Sequence, residues 1–403
     1  MRIVHLVDLF TPSIGGTERA VEDLARIQAQ RGAEVTVVTM TPAGATQVEI
    51  PGVSVIRIDL SRLGRLGIAD PNRPYHPPFP LPAISQALRN IFQRLDAQVV
   101  IAHSWMIFSY LPLRSELEIP VVWYLHDYLV SCPKRTKIYS TGAPCPSAKI
   151  GRCIKCSLTQ YSLAKAAVVT VGQHLSNRRL LAQVDQFIAN SLDVATQARE
   201  VLANEVSVTV VGAAVNLGDG EQHLRPRPEF LPRGEYILFV GQLSQYKGLD
   251  DLLVAFSQIN NLQVSLVCIG TPQPTTPTTW PKDVIVVHDV AHEQVLAAWQ
   301  HCLFGVLPSH ADSFGLVAVE AAFLGRAMVV TDVGGLKEVV KDGVTGLVVG
   351  VRDTTALQGA METLLKSPER AAELGAAAAK HATTFRLEAV ADRIDAVIAT
   401  LVR

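Results

Sequence analysis

The same run of elements occurs twice along this chain. Residues 3–40 read as an apolar strand ("IVHLVDLF"), a loop with a glycine pair ("TPSIGG"), a helix ("TERAVEDLARIQAQRG") closed by Gly32, and a second strand ("AEVTVVTM"). From residue 236 the segments "YILFVG", "QLSQYKG", "LDDLLVAFSQIN" and "VSLVCIG" repeat that order. Continuous apolar runs are what strands buried on both faces need, and alternation with helices implies parallel sheets covered by helices on both sides. Further units ("AQVVIAH", "IPVVWYLHD") extend the first series. The expected fold class is α/β, with two doubly wound domains.

A chain of 403 residues is long enough for two such cores. The boundaries predicted are a first domain over 1–215, a linker over 216–234, a second domain over 235–385 and a terminal helix over 386–403 that could pack on either domain, including back on the first. The linker "NLGDGEQHLRPRPEFLPRG" is rich in Gly, Pro and charge and poor in periodic apolar residues. In doubly wound sheets ligands sit beyond the carboxyl ends of the strands, so a cleft between two facing sheets is the expected active site.

Lys plus Arg number 36 against 37 Asp plus Glu, which gives no large basic field and argues against a nucleic-acid partner. In "MRIVHLVDLF" His5 and Asp8 interrupt a short apolar stretch and no cleavage site follows; no apolar run reaches the ~18 residues of a spanning helix. The expectation is a cytoplasmic protein. Locally, Arg57, Arg62, Arg65 and Arg73 make 57–76 basic, a patch that could face anionic headgroups at the inner membrane surface, although a solvated loop explains it as well.

Three loops combine glycine with a helix start. Gly15 and Gly16 after the first strand let backbone amides approach an anion near a helix N-terminus; the missing G-x-G-x-x-G disfavours a nicotinamide oxidoreductase. Lys247 in "GQLSQYKG" places a cation at the carboxyl end of the second domain's first strand. Gly334 and Gly335 repeat the arrangement in "TDVGGLKEVV". Each could equally be an ordinary turn.

The most informative stretch is "HADSFGLVAVEAAFLG". From Phe314 to Gly325 only Glu320 is charged, so the helix should be buried on most sides. Asp312 or Ser313 is expected to cap it, leaving the amides of Phe314 and Gly315 for an anion. Glu320 then lies roughly 8–10 Å further along the axis. Unpaired, its buried carboxylate would cost several kcal/mol, so it needs donors. Ligand hydroxyls or a basic protein partner could supply them. Amides and carboxylates at separated heights suit a diphosphate flanked by two polyhydroxylated rings.

At these residues the chain resembles the family-four glycosyltransferases (glycosyl transferases group 1), retaining enzymes of the GT-B fold. "PSHADSFGLVAVEAAFLGRAMVVTDVGGLKEVVKDGVTGLVV" resembles the family's pair of glutamates with seven residues between them, "FVGQLSQYKGLDDLL" its donor-diphosphate loop, and "GGTERAVEDLARIQAQRGAEVTVVT" and "YLHDY" its N-terminal domain. The resemblance implies transfer of a sugar from a nucleotide diphosphate sugar (UDP, GDP or ADP type) to a hydroxyl acceptor in glycan, glycolipid or polysaccharide biosynthesis. It assigns Glu320 to the ribose, Asp312 to the donor sugar, Phe314 and Gly315 amides to sugar and phosphate, Lys247 to the diphosphate, Gly16 to the phosphate and His126 to the reacting sugar. No Asp-x-Asp triplet occurs, so catalysis without a metal is expected. Two departures stand out: Asp312 is one methylene shorter than the family's glutamate, and Gln242 occupies the place of an arginine. The second leaves open a noncatalytic nucleotide-sugar-binding protein; a nucleotide-sugar epimerase is a further alternative.

Cys132, Cys145, Cys153 and Cys156 follow "LHDY" with the spacing C-x12-C-x7-C-x2-C. Four thiolates closed by a C-x-x-C pair suit a structural zinc in a segment (132–156) with little apolar content of its own; free thiols or an iron–sulfur cluster are the alternatives. Cys268 and Cys302 stand in apolar contexts and read as core.

Overall fold

The computed structural model describes residues 1–12, 15–41, 49–59, 75–140, 142–145, 148–202, 206–217, 223–259, 263–273 and 276–402. The chain divides into two compact units: the first comprises Met1–Ser140, Cys145–Ala214 and Leu387–Arg403, the second Thr141–Pro144 and Val215–Arg386.

The first unit is built on strands β1 (Arg2–Val7), β2 (Glu34–Thr41), β3 (Val53–Asp59), β4 (Val99–Ala102), β5 (Val121–Leu125), β6 (Gln186–Ala189) and β7 (Val208–Val210). They form one 7-stranded sheet in the order β3-β2-β1-β4-β5-β6-β7, every pair parallel. Strand alternation explains why the sequence shows no polar face: Val121, Trp123 and Leu125 enter one core with Phe108 and Phe187, whereas Val122 and Tyr124 enter the other with Ile3, Ile101 and Ile188.

That second core is closed by the last helix of the chain, Leu387–Leu401, whose Val390, Ala391, Ile394 and Ile398 are buried against Ile3, Leu24 and Ile27. Polar contacts fix its register. Arg31, just past the helix Gly16–Gln30, meets Asp392 and Asp395 at 2.7 Å each, and Arg393 Nε donates to the Val211 carbonyl at 2.8 Å.

The second unit holds β8 (Glu235–Val240), β9 (Val264–Ile269), β10 (Val284–Val287), β11 (Gly305–Leu307), β12 (Met328–Thr331) and β13 (Gly346–Val349), a 6-stranded sheet in the order β10-β9-β8-β11-β12-β13, again all parallel. Part of the stretch read as linker is built into this unit: Arg225 is buried, takes Gln300 Oε1 on its amide at 2.8 Å and pairs with Glu293 at 2.8 Å.

Both sheets share one winding. From the first strand the chain runs outward on one side, then returns to place its fourth strand on the other. The crevice where the winding reverses lies between β1 and β4 in the first unit and between β8 and β11 in the second, which is where such sheets hold ligands. Among the described residues no helix is long and apolar enough to cross a membrane.

Candidate active site

In the second unit the loops after β8 and β11 are locked together. The His310 amide donates to the Tyr246 carbonyl at 3.0 Å, and the His310 ring meets Asp251 at 2.6 Å. Gly248 has φ +72, and a Cβ there would lie 1.9 Å from the Pro308 carbonyl oxygen, so the approach needs glycine on both counts. This contact brings two sequence-predicted residues into one pair: Lys247 Nζ lies 2.6 Å from Asp312 Oδ2, with both side chains largely buried. The Lys247 ammonium also stands 5.6 Å from the centre of the Tyr246 ring. Gln242 is exposed in the same loop, which Leu243 anchors through a 3.0 Å bond to the Thr271 carbonyl.

The buried helix begins later than its sequence suggests. It spans Leu316–Phe323, and its N-cap is Gly315 at φ +93, not Asp312 or Ser313. The reason lies in Asp312, whose Oδ1 accepts the Phe314 amide at 3.3 Å in a turn before the helix, while its carbonyl takes the Gly335 amide at 3.3 Å. The Phe314 amide is therefore already engaged, and its ring is core, edge-on to Phe385 at 5.3 Å. Ser313 is half-buried beside it. Gly334, at φ +49, and Gly335 shape the neighbouring turn.

Glu320 lies in this helix with 13% of its side chain exposed, 3.8 Å from His292 Nε2. His292 escaped the sequence reading, because a polar residue at the start of the helix His292–His301 looks like any exposed first-turn position.

In the first unit, Gly15 is the N-cap of the helix Gly16–Gln30, and a Cβ on it would lie 2.1 Å from Glu18 Oε2. The helix's own first-turn carboxylate thus lies over the N-terminus that was expected to receive a phosphate. His126, directly after β5, is buried, and its carbonyl accepts Asn190 Nδ2 at 2.7 Å. Its ring is joined to two further buried histidines, His103 after β4 and His5 within β1, by contacts of 2.9 Å. Neither was read as a site residue in the sequence, although "VVIAH" repeats the signal of "VVWYLH", an apolar strand that runs into a histidine.

Asp8, next to β1, accepts Ser104 Oγ at 2.6 Å and the Met106 and His76 amides at 3.0 and 3.2 Å. Burial pushes its carboxyl up to about 6, against the pull of Ser104, Arg135 and these amides. Arg135 is held 2.6 Å from Asp127; burial works against its charge, but Asp127, and Asp8 more weakly, raise its pKa above the ordinary value. The sequence signals neither group.

Among the described residues the four clustered cysteines form no disulfide. Cys153 is pushed up to about 11, chiefly by burial and then by the sulfurs of Cys132, Cys145 and Cys156, so the four share one neighbourhood. Among the described residues, however, no group of three His, Cys, Asp or Glu side chains is placed to hold a metal ion. Cys156 Sγ points to the Ile138 carbonyl at 3.6 Å. Of the basic patch, Arg57 is drawn onto the Thr11 carbonyl at 2.5 Å, and burial lowers its pKa, so it is not a free surface cation. Arg62, Arg65 and Arg73 lie outside the described residues. Cys268 and Cys302 are core, their thiols pushed up to about 12 by burial.

Residues 15–214 match the model of the glycosyl transferase 4-like domain and residues 221–381 that of glycosyl transferases group 1. The chain belongs to the group 1 glycosyltransferases. Similar curated proteins include the D-inositol 3-phosphate glycosyltransferases of Rhodococcus erythropolis (29% identical over 241 residues, 55% of this chain and 54% of that protein) and Thermobispora bispora (30% over 250 residues, 55% and 57%). The chain spans about half the length of the curated relatives it matches. Among solved structures, sucrose-phosphate synthase from Thermosynechococcus elongatus superposes with a TM-score of 0.74 at 19% identity, covering 100% of this chain and 99% of that one. Anabaena HepE in complex with UDP superposes at 0.69 and 18%, covering 99% and 100%. At these identities the group 1 glycosyltransferase shares the fold, GT-B, with its two parallel-sheet domains.

Proposed function

We propose that this group 1 glycosyltransferase moves a sugar from a nucleotide diphosphate sugar to an acceptor hydroxyl with retention of anomeric configuration, in the assembly of a glycan, glycolipid or polysaccharide. The observation that carries the reading is the Lys247–Asp312 pair at 2.6 Å, in the segment that leads to the Gly315 N-cap of the helix that bears Glu320. A cation and a carboxylate there fit the two ends of one event: Lys247 neutralises the departing diphosphate while Asp312 and Glu320 accept hydrogen bonds from the hydroxyls of sugar and ribose. The Ser313 segment and Gly315 would supply backbone approach, and His126 a contact to the transferred sugar.

In the proposed step the bond from the anomeric carbon to the diphosphate oxygen breaks, and the acceptor oxygen bonds that carbon on the same face. The acceptor proton passes to the leaving diphosphate oxygen. With Lys247 carrying the developing charge, the step is proposed to need no divalent ion. A uridine donor is the first choice, because the neighbour HepE was solved with UDP and with UDP-glucose.

The test is release of nucleoside diphosphate from UDP-, GDP- and ADP-glucose in the presence of a chelator. We expect release from one donor, lowered more than about 100-fold in Lys247→Ala, the scale of losing one preorganised charge partner. Binding of a donor with no turnover under any condition would mean a noncatalytic binder instead, as Gln242 in place of arginine allows.

A further inference from the structure

Three buried histidines stand in line across β1, β4 and β5, neighbours in the sheet. His126 Nε2 lies 2.9 Å from His103 Nδ1, and His103 Nε2 lies 2.9 Å from His5 Nδ1. His5 Nε2 lies 2.9 Å from Gln28 Oε1, and Gln28 Nε2 donates to Asp395 Oδ1 at 3.1 Å. The other oxygen of Asp395 takes Arg31 Nη1 at 2.7 Å.

The far end of this line decides where every proton sits. A carboxylate only accepts, so the Gln28 atom facing Asp395 is its amide nitrogen and the atom facing His5 is its oxygen. An amide oxygen also only accepts, so His5 carries its proton on Nε2. Burial keeps the histidines neutral: it lowers His5 to about 4 and His126 to about 3, and it is also the main cause holding His103 well below the ordinary 6.5. A neutral imidazole has one N–H, so His5 Nδ1 is a lone pair and His103 must donate to it from Nε2. By the same step His103 Nδ1 accepts from His126 Nε2–H. What remains at the near end is His126 Nδ1, a lone pair.

We infer that Asp395, on the last helix of the chain, fixes the tautomer of His126 through Gln28, His5 and His103, so that His126 meets the transferred sugar as a hydrogen-bond acceptor through Nδ1. The inference rests on the proposed sugar contact of His126. Gln28 makes the line a lock and not a conduit, because its amide has no proton to pass on at neutral pH. Asp395, Gln28, His5 and His103 are thus positioning residues, and two of the partners in the chain stand 367 positions apart in sequence.

Histidine-labelled protein examined by nitrogen-15 correlation spectroscopy tests this. In the wild type His5, His103 and His126 should each show protonated Nε2 and bare Nδ1. In Gln28→Met, which removes the acceptor of His5, His126 should become a mixture of tautomers, with donor turnover lowered about tenfold, the worth of one neutral hydrogen bond, and donor KM little changed. A mixed or Nδ1-protonated His126 in the wild type overturns the inference, and that spectrum suffices even if the variant fails to fold. The expected wild-type spectrum together with unchanged turnover in His126→Ala would leave the tautomer lock standing and remove the sugar contact it serves.

Discussion

Gly315 is confined by its backbone and by its neighbour. Its φ of +93 lies in the left-handed region, and a Cβ would come within 2.3 Å of Leu336 Cδ2, in the turn that holds Asp312 through the Gly335 amide. Gly343 has φ +66 but open space around the Cβ position. Gly343→Ala should therefore cost only the conformational term, about 1 kcal/mol, and Gly315→Ala about 2–4 kcal/mol, since overpacking adds to it. Denaturant titration of the two variants compares them directly; equal losses would mean that Leu336 yields without cost. Lys247, Asp312, Gly315 and Glu320 were singled out in sequence because each stands in a short motif whose chemistry is local. His5, Gln28, His103 and Asp395 were not, since each looks like an ordinary strand or helix residue until the sheet and the returning helix bring them into line.

Among the elements, strands were the easiest to read. "YILFVG" and "VSLVCIG" became Glu235–Val240 and Val264–Ile269, because a parallel strand buried on both faces leaves an uninterrupted apolar run. Helix starts were harder. The run from residue 310 contains two capping candidates, yet Asp312 spends its side chain on a turn and the helix waits for Gly315. The destination of the helix Leu387–Leu401 could not be read from its own residues, whose apolar stripe suits any complementary surface. Its place beside Gly16–Gln30 was decided by Arg31, which meets two carboxylates one turn apart on it. That placement carries Asp395 to Gln28, so an element-scale packing choice determines a residue-scale proton position.

At the scale of the whole molecule, the first unit buries an unusual set of titratable groups. Burial holds His5 and His76 at about 4, His126 at about 3 and His103 well below 6.5. Below pH 6.5 the unfolded chain takes up protons at these positions that the native protein refuses, so stability falls with pH, each group adding up to about 1.4 kcal/mol per pH unit. Asp8 works the other way: with its native pKa raised to about 6 from 3.8, it binds a proton in the native state first as pH falls through that window. Four histidines outweigh one carboxyl. Denaturation midpoints should drop steadily from pH 6.5 to pH 4; a flat or rising profile would show that the histidines are protonated in the native protein.

The central claim is that the loops after β8 and β11 and the helix Leu316–Phe323 hold a nucleoside diphosphate through Lys247 and Glu320. Calorimetric titration of UDP, GDP and ADP into the wild type, Lys247→Ala and Glu320→Gln tests it most directly. One nucleotide should bind to the wild type and bind about 10–100-fold more weakly to each variant, the range expected for losing a charge-assisted hydrogen bond. Binding of none of the three, or equal binding by all three proteins, would contradict it.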